Sequence, residues 1–322
     1  MNLPYALLLK LALLAALLAF PALDMPFYTE LVAKTLLFGL FAMSLGLLVG
    51  HTGLVSLGHA AYFGIATYVV ALMTPKYEAA SFWLTFPAAV LISAASALVV
   101  GLFVLRTKGI YFIMVTLAFA QMAFYLFHDT ALGGGSDGIY LNAKPDATLF
   151  GEKLIDLDKP LHLYYMIVLV LVLGYLFLQR ILQSPFGRVL AGIKSNEHRM
   201  QSMGYATFHY KLAAFTIAGG LAGAAGYLYA VLFGFITPEL LSWHHSVDVL
   251  LMVILGGMGS LGGAFAGAVA FIAMQEVFSS FTRHWQLVMG VVIVVAVLFL
   301  PGGLAAIPRR VRAAFSGEAS DE

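Results

Sequence analysis

The chain has 322 residues, of which 61% are hydrophobic and 10% charged, with a mean hydropathy of +0.94 and a formal net charge of +1. A soluble domain carries about a quarter charged residues, so the composition excludes one and points to an all-α polytopic membrane protein. The 17 Lys and Arg gather at loops and form no duplex-binding stripe, which excludes nucleic acid as a partner; with no Cys there is no disulfide, thiolate metal site or Cys nucleophile.

The first apolar run, Leu3–Leu23, contains Lys10 ahead of LALLAALLAF and then Pro21-Ala22. Two readings fit it: a cleaved signal peptide, or a first membrane helix with Lys10 reaching back to the inner surface. No Ala-x-Ala cleavage site is evident, so we adopt the helix. A helix that crosses a bilayer needs roughly 20 mainly apolar residues. Further spans on that criterion are Leu31–Gly50, Leu54–Met73, Phe82–Leu105, Ile110–Phe127 and Leu161–Leu178, then Leu212–Phe235, a Gly-broken region Val247–Gln275, and Leu287–Leu300.

Between the sixth and seventh runs lies Gln179–Lys211, where Arg180, Arg188, Lys194, Arg199 and Lys211 face one acid, Glu197. Short loops rich in Lys and Arg stay in the cytoplasm, so this loop fixes the orientation of its neighbours. Ser184-Pro185 reads as an N-cap with Pro at the first helical position, and Val189, Leu190 and Ile193 share one face. A second short helix starts after Ser195 or Asn196, with Met200 and Met203 on its apolar face and Gly204 at its end. Counting outward puts His128–Pro160 outside, where six acids stand against three Lys, and puts Arg106, Lys108 and the N-terminus inside.

The tail Pro308-Arg309-Arg310-Val311-Arg312 is inside only if Val247–Gln275 forms two short segments turning at Gly256-Gly257-Met258-Gly259. That gives about ten membrane segments, five on each side of the loop, in a single membrane domain (residues 1–308, coupling loop 180–210) followed by a cytoplasmic tail, 309–322. The two halves begin in opposite orientations, the pattern of an inverted repeat. Two Gly-rich stretches also resemble each other, Gly50–Gly64 (GHTGLVSLGHAAYFG) and Gly256–Gly267 (GGMGSLGGAFAG). They fit Gly-broken helices lining a path, or close helix packing, together with Gly46/Gly50, Gly219/Gly223 and Gly263/Gly267.

Polar groups within the apolar runs are the candidate path residues: Ser56 and His59 in the first Gly-rich stretch, Thr116 and Gln121 in the fifth span. His51 sits beside the first pair; Asp248 and Gln275 fall near segment ends. His59 fits both a hydrogen-bonded packing residue and a substrate contact. No carboxylate or Lys is expected deep in a span, which argues against an ion-coupled carrier; a membrane-embedded enzyme would need convergent catalytic groups that the scattered His residues do not supply. Gly187–Ser195 imitates a phosphate-binding loop, but Ile193 separates Gly192 from Lys194 and no strand precedes it.

Gly53–Gly64 closely resembles the signature of membrane permeases of branched-chain amino-acid ABC importers. So do Gly109–Phe112 with Val115–Ala118, Gly133-Gly134-Gly135-Ser136-Asp137-Gly138, Ser184–Arg188 through Met203-Gly204, and Leu255–Ser260. The likeness runs in order from about Leu36 to Gly302 and is to the permease type with an external Gly-Gly-Ser-Asp-Gly loop. His51, Thr67 and Gly133 depart from the pattern. The resemblance implies an ABC importer permease fold in a bacterial-type inner membrane, both termini cytoplasmic. Its implied partners are an external substrate-binding protein, a second related permease and two cytoplasmic ATPases. ATP and Mg would sit on those ATPases, with no cofactor on this chain. Pro185–Gly204 would fill an ATPase groove, with Pro185, Phe186, Gly187, Arg188, Glu197 and Gly204 as coupling residues, and Arg188 and Glu197 paired with charges there. Ser136 and Asp137 would contact substrate, contact the binding protein, or cap a turn. Urea and short-chain amide importers use permeases of the same family.

Overall fold

The computed structural model describes residues 3–75, 78–149, 152–300 and 302–306. The proposed tail 309–322 and the side chain of Lys10 lie outside what is described. Among these described residues twelve α-helices follow in order. α1 (Leu3–Ala19) gives way to a 3-10 turn that ends at Asp24, in the left-handed region at φ 52°. α2 (Pro26–Gly46) starts with Pro in its first turn and ends in a π-wound stretch, Leu47–Thr52, that stops at Gly53, φ 73°. Then come α3 (His59–Met73), α4 (Phe82–Val104), α5 (Ile110–His128) and α6 (Pro160–Gln183). Two short helices, α7 (Pro185–Ser195) and α8 (Glu197–Ser202), precede α9 (Thr207–Phe233). α10 (Trp243–Gly256), α11 (Leu261–Phe281) and α12 (Trp285–Phe299) complete the bundle.

Among the described residues six helical stretches are long and apolar enough to cross a membrane; four shorter apolar helices, including α3, α10 and α12, fill in around them. The chain is a multi-pass membrane protein. α2 is the axis: 83% of its span is buried, against 17% for α5, which lies at the periphery. Lipid gives little hydrophobic drive for one helix to bury against another, so close backbone approach and dispersion hold such bundles together. Small residues supply that approach here. Gly219 and Gly223 of α9 lie on Ala97 and Ser93 of α4, Gly226 lies under the Phe63 carbonyl, and Gly267 of α11 lies on the Met252 carbonyl of α10. All three Gly-xxx-Gly pairs read from the sequence sit at helix contacts, Gly46 and Gly50 against Ala264 and the Met258 carbonyl.

The region Val247–Gln275 does break, at Gly257 (φ 105°), between α10 and α11. The expected span Leu54–Met73 is corrected: residues 53–58 are not helical and α3 begins at His59. Gly53 in the left-handed region ends the preceding turn; the Leu54 amide bonds back to the Leu48 carbonyl, Gly58 bonds to Ser56 Oγ, and Leu57 bonds to the distant Thr116 hydroxyl. The connection after α5 is more than a bare loop. It holds β1 (Ile139–Tyr140), which pairs antiparallel with β4 (Phe235–Ile236) after α9, and a hairpin of β2 (Ala147–Leu149) and β3 (Glu152–Ile155). These short strands lie in connections and leave the class all-α.

Candidate functional site: a basic helical pair beneath a hydroxyl-capped helix start

α7 and α8 form one end of the bundle. Ser184 is extended (ψ 170°) and Pro185 occupies the first helical turn, as the sequence suggests. The expected Ser184 cap is absent: its hydroxyl donates back to the Ile181 carbonyl at 2.6 Å, serving the end of α6 instead of the start of α7. Val189, Leu190 and Ile193 are buried, and Gly187 fits beneath the Leu182 carbonyl. Phe186 stacks on Tyr210 of α9 with ring centres 5.6 Å apart. Asn196 caps α8, its Oδ1 accepting from the Arg199 amide at 2.9 Å. Gly204, at φ 86°, ends the pair. Met200 packs against Gly192, but Met203 is 65% exposed and shares no buried face with it, because it lies past the end of α8.

Pro185, Arg188, His198 and Arg199 are exposed and present a basic surface. Glu197 does not belong to that surface. Its Oε1 accepts from Lys211 Nζ at 2.6 Å and from Thr207 Oγ1 at 3.2 Å, and its Oε2 lies 3.9 Å from Lys108. Burial pushes the Glu197 carboxyl up, but the hydrogen bond and charge of Lys211, then Thr207 and Lys108, hold it below its ordinary value. Within the chain the acid ties the loop to α9 and to Lys108, just ahead of α5.

Deeper in the bundle, α3 starts in the protein interior. The first amides of a helix have no partner within it. Around this start they find hydroxyls from three elements: Leu57 donates to Thr116 Oγ1 of α5 at 3.2 Å, Gly58 to Ser56 Oγ at 3.2 Å, and Ala60 to Ser246 Oγ of α10 at 2.9 Å. His59 is fully buried; its Nε2 shares a 2.8 Å hydrogen bond with Ser44 Oγ of α2, and its ring stacks on Phe41 at 5.5 Å. Its Nδ1 is buried with no hydrogen-bond partner among the described residues. Ser56, His59 and Thr116 are therefore brought together, joined by Ser44 and Ser246, which the sequence reading missed. Ser246 stands in the polar run Trp243–Asp248, the one local signal that would have found it.

Gln121 is half-buried further along α5 and takes no part in this set. Asp248 is also corrected. α10 begins at Trp243, so the half-buried Asp248 is its sixth residue, well inside a membrane-type helix instead of at a segment edge.

Ser136 and Asp137 lie apart from both groups, exposed at the opposite end, bonded to each other at 3.3 Å. Tyr68 of α3 reaches the neighbouring Gly133 carbonyl at 3.4 Å. A cavity of ≈ 630 Å³ opens beside that loop, lined by Thr74, Pro75, Gly134, Gly138, Tyr140 and Asn142, within the size range of small-molecule sites.

Residues 27–297 match the family described as branched-chain amino acid transport system / permease component. The chain is 31% identical to the high-affinity branched-chain amino acid transport system permease protein LivM of Salmonella typhimurium, over 98% of this chain and 78% of the relative. It is 30% identical to LivM of Escherichia coli K12, over 94% and 75%. Over 44% of this chain and 42% of the relative it is 28% identical to the autoinducer 2 import system permease protein LsrC of Klebsiella pneumoniae. These relatives are transport permeases, not enzymes. No solved structure matches. Over most of its length, this chain belongs to the family of branched-chain amino acid transport system permease components.

Proposed function

We propose that this chain forms half of the translocation path of an ABC importer for branched-chain or other hydrophobic amino acids, a substrate class the names of its LivM relatives suggest. The observation that carries the reading is the α7–α8 pair: α7 buries Val189, Leu190 and Ile193, the pair is rooted on α9 through Phe186 and Glu197, and its exposed basic side is fit to lie in the groove of a separate ATPase. That end of the bundle is cytoplasmic, with both termini on the same side and ATP and Mg on two partner ATPases. The opposite end, with the Gly133–Gly138 loop and its cavity, faces an external binding protein. A second, related permease covers the exposed side of α5. Substrate passes the start of α3, where hydroxyls of Ser56, Thr116 and Ser246 exchange bonds with it and the carboxylate of Asp248 answers its ammonium group.

The test is reconstitution of the whole importer in proteoliposomes. The expected result is leucine uptake that requires the binding protein and ATP. Uptake that proceeds uphill without the ATPases overturns the importer reading. A binding protein that carries urea or a short amide and ignores leucine overturns the substrate. Orientation is read separately: a single Cys at Arg199, in a chain without others, reacts with an impermeant thiol reagent from the cytoplasmic face alone. Labelling from outside inverts the topology.

A further inference from the structure

We propose that Lys194 is the positioning residue through which the ATPase-facing loop grips the broken end of α2, by capping the Gly50 carbonyl. The inference rests on the importer reading above. The last carbonyls of a helix have no amide to accept from, and a cation is favoured there. α2 ends in the π-wound stretch Leu47–Thr52, a winding that recurs at functional sites. Gly50 lies in it, and Lys194 Nζ, from the far end of α7, donates to its carbonyl at 2.7 Å. The lysine stem runs over Gly53: a Cβ there would lie 3.5 Å from Lys194 Cγ. On its other side Gly50 has no room for a Cβ, because the Met258 carbonyl of the α10–α11 turn occupies that space.

One residue is thus touched from one side by the loop that meets the ATPase and from the other by the second Gly-rich stretch. The chain then runs without helical bonding through residues 53–58 to the capped start of α3. A shift of α7 pulls on Gly50, and residues 53–58 pass that pull to the amides held by Thr116 and Ser246. Glu197, bonded to Lys211 of α9 and 3.9 Å from Lys108, holds the other half of the loop against α9.

The experiment compares Lys194→Met and Lys194→Arg in the reconstituted importer, with amide hydrogen exchange of residues 47–58 measured on the same proteins. For Lys194→Met, substrate moved per ATP falls at least fivefold and residues 47–58 exchange faster. For Lys194→Arg, whose guanidinium still donates to the carbonyl, more than half of the coupling returns and exchange stays near that of the unsubstituted protein. Normal coupling in Lys194→Met overturns the proposal, as does equal loss in both variants or unchanged exchange. A Lys194→Met chain that does not assemble with the ATPases also overturns it, making the residue an assembly contact. Failure of the importer reading is separate: it shows in the unsubstituted protein, as transport that ignores ATP, and it removes this inference too.

Discussion

Two helical hairpins are joined by opposite means. In α10–α11 backbone lies on backbone: Gly256 against the Gly263 carbonyl, Gly267 against the Met252 carbonyl and the Gly256 amide. Its turn is fastened by a neutral bond, the Gly263 amide to Ser260 Oγ at 3.0 Å. In α7–α8 the apolar contacts of α7 are joined by fastenings that carry charge, Lys194 to Gly50 and Glu197 to Lys211 and Lys108. Glycine packing has one setting; any side chain breaks it, and no change of solvent or partner releases it. Charged hydrogen bonds can be surrendered and remade, and they respond to salt, pH and a competing partner. The difference separates a frame from a part that moves.

The comparison can be broken most severely at the frame. Gly267→Val puts a Cβ where the Met252 carbonyl oxygen already lies, and overpacking of this kind typically costs about 1–3 kcal/mol, here at the upper end because backbone must shift. We expect no monodisperse permease in detergent; a well-behaved, thermally stable variant would show that the hairpin is not backbone-locked. Glu197→Gln comes next. Lys211, its side chain 7% exposed, keeps its charge and loses its counter-charge, the Gln carbonyl oxygen remaining as a neutral acceptor, while Glu197 itself is partly open to water. We expect a loss of about 2 kcal/mol in thermal unfolding. The same pair sets a pH dependence. The folded carboxyl sits below its ordinary 4.5, so its stabilisation is complete above that value and disappears as the pH falls through it toward the lower, folded value. Glu197→Gln should flatten that acid limb; an unchanged limb would assign the acid sensitivity to another group.

Asn196→Ala removes the cap of α8 and should cost about 1 kcal/mol, read as lower helix protection in hydrogen exchange. The smallest effect belongs to Lys108→Ala. That lysine is 63% exposed and 3.9 Å from Glu197, so it should change the melting free energy by less than about 0.5 kcal/mol. A larger change would make the start of α5 a full member of the anchored set.

What could be read in the sequence followed from how far each signal reaches. Pro185, Gly204 and Asn196 act on their own turns, and the α7–α8 pair was legible from them. The break at Gly257 was legible from the run Gly256-Gly257-Met258-Gly259 within a stretch long enough for two segments. The polar set around His59 was only half visible, because its hydroxyl partners come from elsewhere: Ser246 lies 186 residues from Ala60 and Thr116 lies 59 from Leu57. Leu54 and Val55 look like the start of a helix until those long-range bonds take up the amides that follow. Ser184 misled for the converse reason. Its hydroxyl had two helix ends to choose between and took the carbonyl behind it. Glu197 looked like a surface charge because Lys211, fourteen positions on, looked like another.

α9 is tied down at both extremities. Lys211, in its second turn, is held by Glu197, and just past its last residue Phe235 and Ile236 pair with Tyr140 and Ile139. The 27 residues of the helix as a whole make a rod of roughly 40 Å, at about 1.5 Å per residue. A tug on the strand ladder at one mouth therefore arrives at the salt bridge at the other along a single covalent strut, with no relay of side chains between.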